Sequence, residues 1–173
     1  EQEFDIPRLE QIRDTFVFSC FTGLAYVDVK KLSSNHIVLG LDGKRCVKIK
    51  RSKTDSRSVV PLLPVSQAIL NKYKDHPLTR EHGLLLPVIS NQKTNAFLKE
   101  IATICKIQKN LTFHLARHTF ATTVTLANGV PIESVSKMLG HQSLKTTQIY
   151  AKVIDKKLME DMEVVKAKYK LGS

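Results

Sequence analysis

The sequence contains no tryptophan, and aromatic residues make up only 6% of its 173 residues. Surfaces that bind single-stranded nucleic acid by base stacking need exposed aromatic rings, so this composition disfavours such a platform. No run of about 18 consecutive apolar residues occurs, and a membrane-spanning helix needs one. With 42% apolar and 25% charged residues, the composition is typical of a globular protein with no membrane partner.

Cysteine is scarce as well: the chain has three, at Cys20, Cys46 and Cys105. Their odd number, wide spacing and apolar neighbours indicate reduced thiols of a cytoplasmic protein, rather than a disulfide framework or a zinc site. His114 and His118 stand four apart, as zinc ligands on a helix do, but Leu115 occupies the position of the glutamate in that motif. The sequence therefore predicts no metal site.

Acidic side chains are few, with 16 Asp and Glu against 27 Lys and Arg, which gives a net charge of +11. Such an excess favours a polyanionic partner, and nucleic acid contacted at its phosphates is the first candidate. A merely soluble basic protein or a ribosome-associated one is the alternative. Residues 14–29 contain no Lys or Arg, so this stretch is either core or the uncharged wall of a basic site.

The periodicity of apolar residues predicts the order of the elements. A helix is expected over 8–23 and a short second helix over 25–31. Alternating residues bounded by turn signals then predict three strands over 36–62. The other expected helices cover 65–75, 91–106, 112–128, 131–139, 143–151 and 154–169. The predicted fold is mainly α, with a small three-stranded antiparallel β-sheet near the N-terminal side, in one domain covering 1–173.

Two helical segments carry candidate functional residues. His114 and Arg117 are three apart, so they share a face of their helix. His141 follows a glycine turn, and Tyr150 comes nine residues later in a polar segment. The alternatives are a solvated basic face for the first pair and a half-buried tyrosine with a wet hydroxyl for the second.

The end of the second strand carries another pair, Arg51 and Lys53. Because side chains alternate along a strand, both are expected to point to the same face. A charged edge that prevents aggregation is the alternative. Phosphoryl transfer without a metal would need all of these residue types. Arginine supplies a planar fork for phosphate, a tyrosine hydroxyl can attack phosphorus, and a lysine can protonate the leaving oxygen.

The segments FHLARHTFAT, LGHQS and TTQIYA, in this order and spacing, resemble the catalytic domain of tyrosine recombinases, the phage integrase family. The segment TGLAYVDVKKL and the KT dipeptide at the end of the second strand are similar to two further motifs of that family, and the resemblance covers essentially the whole chain. The roles it implies are nucleophile for Tyr150, phosphate clamp for Arg117, phosphate binding and proton transfer for His114 and His141, general acid for Lys53, and structural partner for Asp28.

The resemblance also implies a reaction and partners. Double-stranded DNA would be cut through a 3′-phosphotyrosine intermediate with release of a 5′-hydroxyl, and no metal, ATP or other cofactor is needed. The family acts as a tetramer on DNA, often on mobile elements, and here the location would be the bacterial cytoplasm. Residues 154–170 would dock on a neighbouring protomer, or form an intramolecular amphipathic helix. The family's N-terminal core-binding or arm-binding domain is expected to be absent from this chain.

One position departs from the family pattern, because Ala25 stands where the family has its first arginine. Arg51 is the candidate to supply the missing charge, since strand alternation puts it on the same face as Lys53. The alternative is that Arg51 contacts a distant phosphate or nothing. Two other functions therefore stay open. One is a catalytically impaired DNA-binding relative, and the other is an enzyme resembling type IB topoisomerases.

Overall fold

A computed structural model of the protein describes residues 7–150, 158–159, 162–163 and 165–169. Within these ranges the fold is mainly helical, with one antiparallel sheet in the order β1-β2-β3, as predicted. No helix in the described ranges is long and apolar enough to cross a membrane. The strands are β1 Ile37–Leu39, β2 Arg45–Lys50 and β3 Arg57–Pro61. The α-helices are α1 Pro7–Thr22, α2 Tyr26–Lys30, α3 Pro64–Lys72, α4 Pro77–His82, α5 Asn91–Ile104, α6 Phe113–Thr119, α7 Ile132–Leu139 and α8 Leu144–Thr147.

Helix α1 lies at the centre of the larger core and packs against α3, α5 and α6. Leu9, Ile12 and Phe18 are almost completely buried, which accounts for the helical period read from the sequence. The helix ends at Thr22 and is followed by Gly23, whose φ of +67° is in the left-handed region. A Cβ atom there would lie 2.4 Å from a ring carbon of Phe120, so only glycine lets the chain turn against that ring.

The sheet connects the two cores of the molecule. Val47 and Ile49 of β2 are buried in the larger core, while Val60 of β3 is buried in a second core formed with α7. Lys48 and Lys50 alternate with them and are exposed, as the period of two requires. Strand β2 is shorter than expected and ends at Lys50.

The end of β2 corrects the prediction that Arg51 and Lys53 share one face of an extended strand. Arg51 and Lys53 do not lie in an extended strand, so alternation does not set their directions. The N–H of Arg51 donates to the carbonyl of Ser56, and the N–H of Asp55 donates to the carbonyl of Arg51. These bonds close a tight turn over residues 51–56. Asp55 adopts a φ of +57° in it, a conformation that Asp tolerates better than most residues.

The helix expected over 112–128 does not keep one geometry. After α6 the chain continues as a π-helix, Phe120–Thr125, and then as a 3₁₀-helix, Leu126–Asn128. The hydroxyls of Thr119, Thr122 and Thr125 each donate to the carbonyl four residues earlier, and such bonds distort a helical ladder.

The structure differs from the predicted helices in two further places. Helix α4 was not predicted, although Pro77 at its first turn and Gly83 after its end are ordinary boundary signals. The helix expected over 143–151 consists of α8 followed by a 3₁₀ turn, Gln148–Tyr150. Most of the helix expected over 154–169 lies outside the described residues, and those described at 158–159, 162–163 and 165–168 are helical.

A buried carboxylate, Asp14, joins α1 to the end of α3. It accepts hydrogen bonds from Lys72 at 2.6 Å and from the hydroxyl of Tyr73 at 2.9 Å, and Arg13 lies 2.8 Å away. Burial alone would raise the pKa of Asp14, but the hydrogen bonds from Lys72, Arg13 and Tyr73 outweigh it and hold the pKa below its usual value.

Replacing Asp14 with asparagine removes the carboxylate that accepts these hydrogen bonds and is expected to lower the free energy of unfolding at pH 7. The expected loss is only about 1–2 kcal/mol, because Lys72 is partly exposed and solvent screens its charge. A carboxylate with a lowered folded pKa stabilises the protein above its unfolded pKa of about 4 and stops doing so as the pH falls through the folded value. Urea unfolding at pH 7 and pH 3 should show that the difference in free energy of unfolding between parent and variant is smaller at pH 3. Asp75→Asn, in an exposed pair, is the control, and an unchanged gap at pH 3 contradicts the assignment.

Candidate active site

Arg117 is the most constrained cation of the site. Its side chain is buried at the end of α6, where Nη1 donates to the carbonyl of Gly23 and Nη2 to the carbonyl of Leu139, both at 2.6 Å. Burial lowers the pKa of Arg117 to about 10, and the charge of Arg51 acts in the same direction. The guanidinium therefore stays protonated at neutral pH and is fixed by two backbone carbonyls from different elements.

Arg51 reaches the same point from the sheet. Its Nη1 donates to the carbonyl of Leu139 at 2.7 Å, so two guanidinium groups share one acceptor. Its Nε lies 3.5 Å from Oδ2 of the buried Asp28, whose Oδ1 accepts the backbone N–H of Ser52 at 3.0 Å. Asp28 thus offsets part of the repulsion between the two arginines and anchors the turn that carries Arg51.

The position of the shared acceptor follows from the way α7 ends. Gly140 adopts a φ of +61°, and its N–H donates to the carbonyl of Lys137 while that of His141 donates to the carbonyl of Ser136. This is a Schellman motif, which leaves the Leu139 carbonyl pointing past the helix end. The negative end of the helix dipole favours the cations gathered there.

Tyr150 is buried and lies close enough to Arg117 for the two side chains to interact electrostatically. Burial raises the pKa of its hydroxyl, and the charge of Arg117 opposes that shift. The ring packs edge-on against His118, with centroids 5.4 Å apart, and His118 packs in the same way against His114 at 4.8 Å. The hydroxyl is therefore protonated at neutral pH and sits next to a fixed cation.

The two candidate histidines are both held in the neutral form. Burial lowers the pKa of His141 to about 4, and Arg117 and Arg51 add to the effect. Burial also lowers the pKa of His114, followed in size by the charges of His118 and Arg117. Nδ1 of His141 lies 2.8 Å from the hydroxyl of Thr147, which orients the ring. A neutral imidazole keeps a lone pair that can accept a proton.

A cleft of about 400 Å³ opens beside these residues. It is lined by Ala25, Lys53, Asn91, Asn95, His114 and Arg117, among others. The small side chain of Ala25 forms part of its wall, and Lys53 reaches it from the turn over 51–56. Lys53 and Arg117 give the lining of the cleft a positive charge, and the cleft is open to solvent.

These elements match a known family in sequence. A sequence model of the phage integrase family matches residues 22–157. The chain belongs to that family. It is 31% identical over 145 residues to the tyrosine recombinase XerD of Halalkalibacterium halodurans, covering 76% of this chain and 46% of XerD. It is 34% identical over 113 residues to the tyrosine recombinase XerA of Pyrococcus horikoshii, covering 61% of this chain and 39% of XerA.

Solved structures of the phage integrase family share the fold. The XerA recombinase superposes with a TM-score of 0.67 over 95% of this chain and 64% of the other, at 22% identity. The XerH recombinase in its post-cleavage complex gives a TM-score of 0.69 over 96% of this chain and 48% of the other, at 21% identity. The chain spans about half the length of the curated relatives it matches.

For this phage integrase family member, the structure brings all the predicted site residues to one region. Arg51, Tyr150 and Asp28 each act electrostatically on Arg117, and His141 responds to both arginines. Lys53 and His114 join them along the cleft.

Sequence reasoning missed two features of the site. The first is the carbonyl of Leu139, which no side-chain pattern could reveal. The second is His118, which the sequence raised only as a possible zinc ligand and whose ring packs against that of Tyr150. Its spacing of four from His114 was the available signal for a shared face.

Proposed function

We propose that the protein is a site-specific DNA recombinase or integrase that cuts and rejoins double-stranded DNA through a 3′-phosphotyrosine. The observation that carries the proposal is the convergence of two buried arginines, Arg51 and Arg117, on one carbonyl, with the buried Tyr150 close to Arg117. Fixed guanidinium groups stabilise the charge that develops on the phosphate oxygens, and a neighbouring hydroxyl can attack the phosphorus.

The proposed cleavage step uses only side chains of this chain. The hydroxyl oxygen of Tyr150 attacks the scissile phosphorus, forming the tyrosyl ester bond while the bond from phosphorus to the 5′-oxygen breaks. The proton of the Tyr150 hydroxyl passes to a neutral imidazole, His114 or His141. Lys53 gives a proton to the departing 5′-oxygen, which leaves as a hydroxyl. Rejoining reverses these transfers with the 5′-hydroxyl of a second strand.

Arg51 takes, in this proposal, the role of the arginine that the family has at position 25. Its guanidinium is adjacent to that of Arg117, because both donate to the Leu139 carbonyl. Asp28 lies on the other side of this guanidinium, with its Oδ2 3.5 Å from Nε of Arg51. The position in the fold, rather than strand alternation, is what supports this assignment.

The partners, the oligomeric state and the location are also proposals. Solved relatives include XerH bound to a palindromic difH substrate and a transposon integrase from Tn1549 in complex with DNA. By analogy we propose double-stranded DNA, a tetramer on DNA, a mobile element as the source of the site, and a bacterial cytoplasmic location. The predictions that 1–173 is a single catalytic domain and that residues 154–170 dock on a neighbouring protomer stay predictions.

The test is covalent capture from a pool of duplexes with random sequence and one nick near the centre. A nick lets the short 5′-hydroxyl strand diffuse away, so a phosphotyrosine adduct accumulates and survives denaturing electrophoresis. We expect an adduct on a limited set of sequences. DNA binding with no adduct would favour the impaired DNA-binding relative. Relaxation of supercoiled plasmid with no sequence preference would favour the topoisomerase-like enzyme.

A further inference from the structure

Side chains of the turn over residues 51–56 and of strand β3 donate hydrogen bonds to carbonyls at the end of α7, and we call this set of bonds the seam. Ser58 donates to the carbonyl of Met138, Arg51 to that of Leu139, and Ser56 to that of Gly140. A helix ends with carbonyls that lack partners inside the helix, and here side chains of the hairpin supply them one after another.

A fourth bond closes the seam at the tip of the turn. The side chain of Gln142 donates to the carbonyl of Thr54 at 3.0 Å, next to Lys53. Gly140 contributes space, because a Cβ atom there would lie 2.6 Å from Cδ of Arg51. The seam therefore fixes the start of the turn, which carries Arg51, and its tip, which carries Lys53.

Because position 25 is an alanine, the turn carries both of the cations proposed to act on the phosphate and on the leaving oxygen. Arg51 and Lys53 are two residues apart on one turn, so any displacement of the turn moves both. If the phosphate clamp were at position 25, at the start of α2, the hairpin would carry only the proton donor. Here the phosphate clamp and the proton donor depend on the same four bonds.

We propose that Ser56, Ser58 and Gln142 are positioning residues that dock the turn, so that loosening the seam removes phosphate clamping by Arg51 and proton donation by Lys53 together. The inference rests on the proposed function. A proton-donation defect can be separated from a clamping defect by chemistry. A duplex with sulfur in place of the bridging 5′-oxygen has a leaving group that needs no proton, while its non-bridging oxygens still need a clamp.

The experiment compares cleavage rates on a captured sequence with the ordinary 5′-oxygen and with 5′-sulfur. Lys53→Ala should lose about 10²–10³-fold on oxygen and recover almost fully on sulfur. Ser58→Ala and Gln142→Ala should lose about 10–100-fold on oxygen, the cost of misplacing reacting groups by about 1 Å. On sulfur they should keep a deficit of about fivefold or more, because Arg51 is displaced as well.

Several outcomes are decisive. Full recovery of both seam variants on sulfur would mean that the seam positions Lys53 alone, and parental rates on oxygen would mean that it positions neither residue. Either result overturns the inference while leaving the proposed function intact. Absence of any adduct with the parent protein overturns the proposed function instead.

The controls separate positioning from folding. Ser58→Thr keeps the hydroxyl and should stay within about threefold of the parent on both duplexes. Thr103→Ala removes a similar hydroxyl-to-carbonyl bond in α5 and should leave both rates unchanged. If Ser58→Ala shows a lowered melting temperature, Gln142→Ala decides alone, because its side chain is exposed and tolerates truncation.

Discussion

Replacing Tyr150 with phenylalanine is expected to abolish the covalent adduct, with a loss in cleavage rate of at least about 10⁴-fold. The aromatic ring is retained, so its edge-on packing against His118 and its burial in the second core should persist. In the proposed mechanism, the variant loses the atom that forms the bond to phosphorus. Adduct formation on nicked duplexes, followed over time by denaturing electrophoresis, measures the effect.

DNA binding separates a lost nucleophile from a lost fold. Tyr150→Phe should bind the captured duplex within about threefold of the parent, because phosphate contacts come from the basic side chains. Its melting temperature should stay close to that of the parent. An adduct of normal yield with Tyr150→Phe would show that another residue is the nucleophile. Tyr169→Phe, an exposed tyrosine, is the matched control.

The sequence supports much of the fold because its periods are local. The alternation through Val47 and Ile49 and the helical period of α1 follow from burial of one face, and both appear in the structure. The change from α- to π-helix after Thr119 was not predictable in this way. Several hydroxyl-to-carbonyl bonds and the packing of Phe120 act on it together, and a period does not encode their balance.

The candidate site shows the same limit more sharply. Motif spacing identified Arg117 and Tyr150 as candidate site residues, but the contacts that define the site join residues far apart in sequence. Arg117 and Gly23 are 94 positions apart, and Arg51 and Leu139 are 88 apart. The expectation that Arg51 joins the site agrees with its location, although the strand reasoning behind it does not apply to a turn. Tertiary docking, which depends on the end of α7, decided where the side chain points.

The second large effect is expected at Arg51. Arg51→Ala should lower the cleavage rate by about 10²–10³-fold, the loss typical for one charged donor that stabilises a transition state. Binding of the duplex should weaken much less, because one of many phosphate contacts is lost. Arg57→Ala, an exposed arginine on the same hairpin, is the matched control and should cleave within about threefold of the parent. Cleavage by Arg51→Ala at the parental rate would refute the role.

Truncation of Arg51 also leaves Asp28 buried without its cation, so stability must be measured alongside cleavage. Arg51→Lys answers this concern, because it keeps a positive charge near the carboxylate and loses the planar fork. It should melt close to the parent and still cleave at least about tenfold more slowly. A lysine variant with the parental rate would mean that charge alone suffices.

The strongest test restores the family arrangement in this chain. Ala25→Arg introduced into Arg51→Ala should recover about tenfold or more of the lost rate, because position 25 lines the cleft beside Lys53 and Arg117. In the parent, Ala25→Arg should give no gain, since a third guanidinium would crowd Arg51 and Arg117 at one phosphate. Equal effects of Ala25→Arg in both backgrounds would mean that the two positions act independently. Recovery in Arg51→Ala with no gain in the parent, measured as a double-mutant cycle on cleavage rate, is the signature of one role that has moved from position 25 to the hairpin.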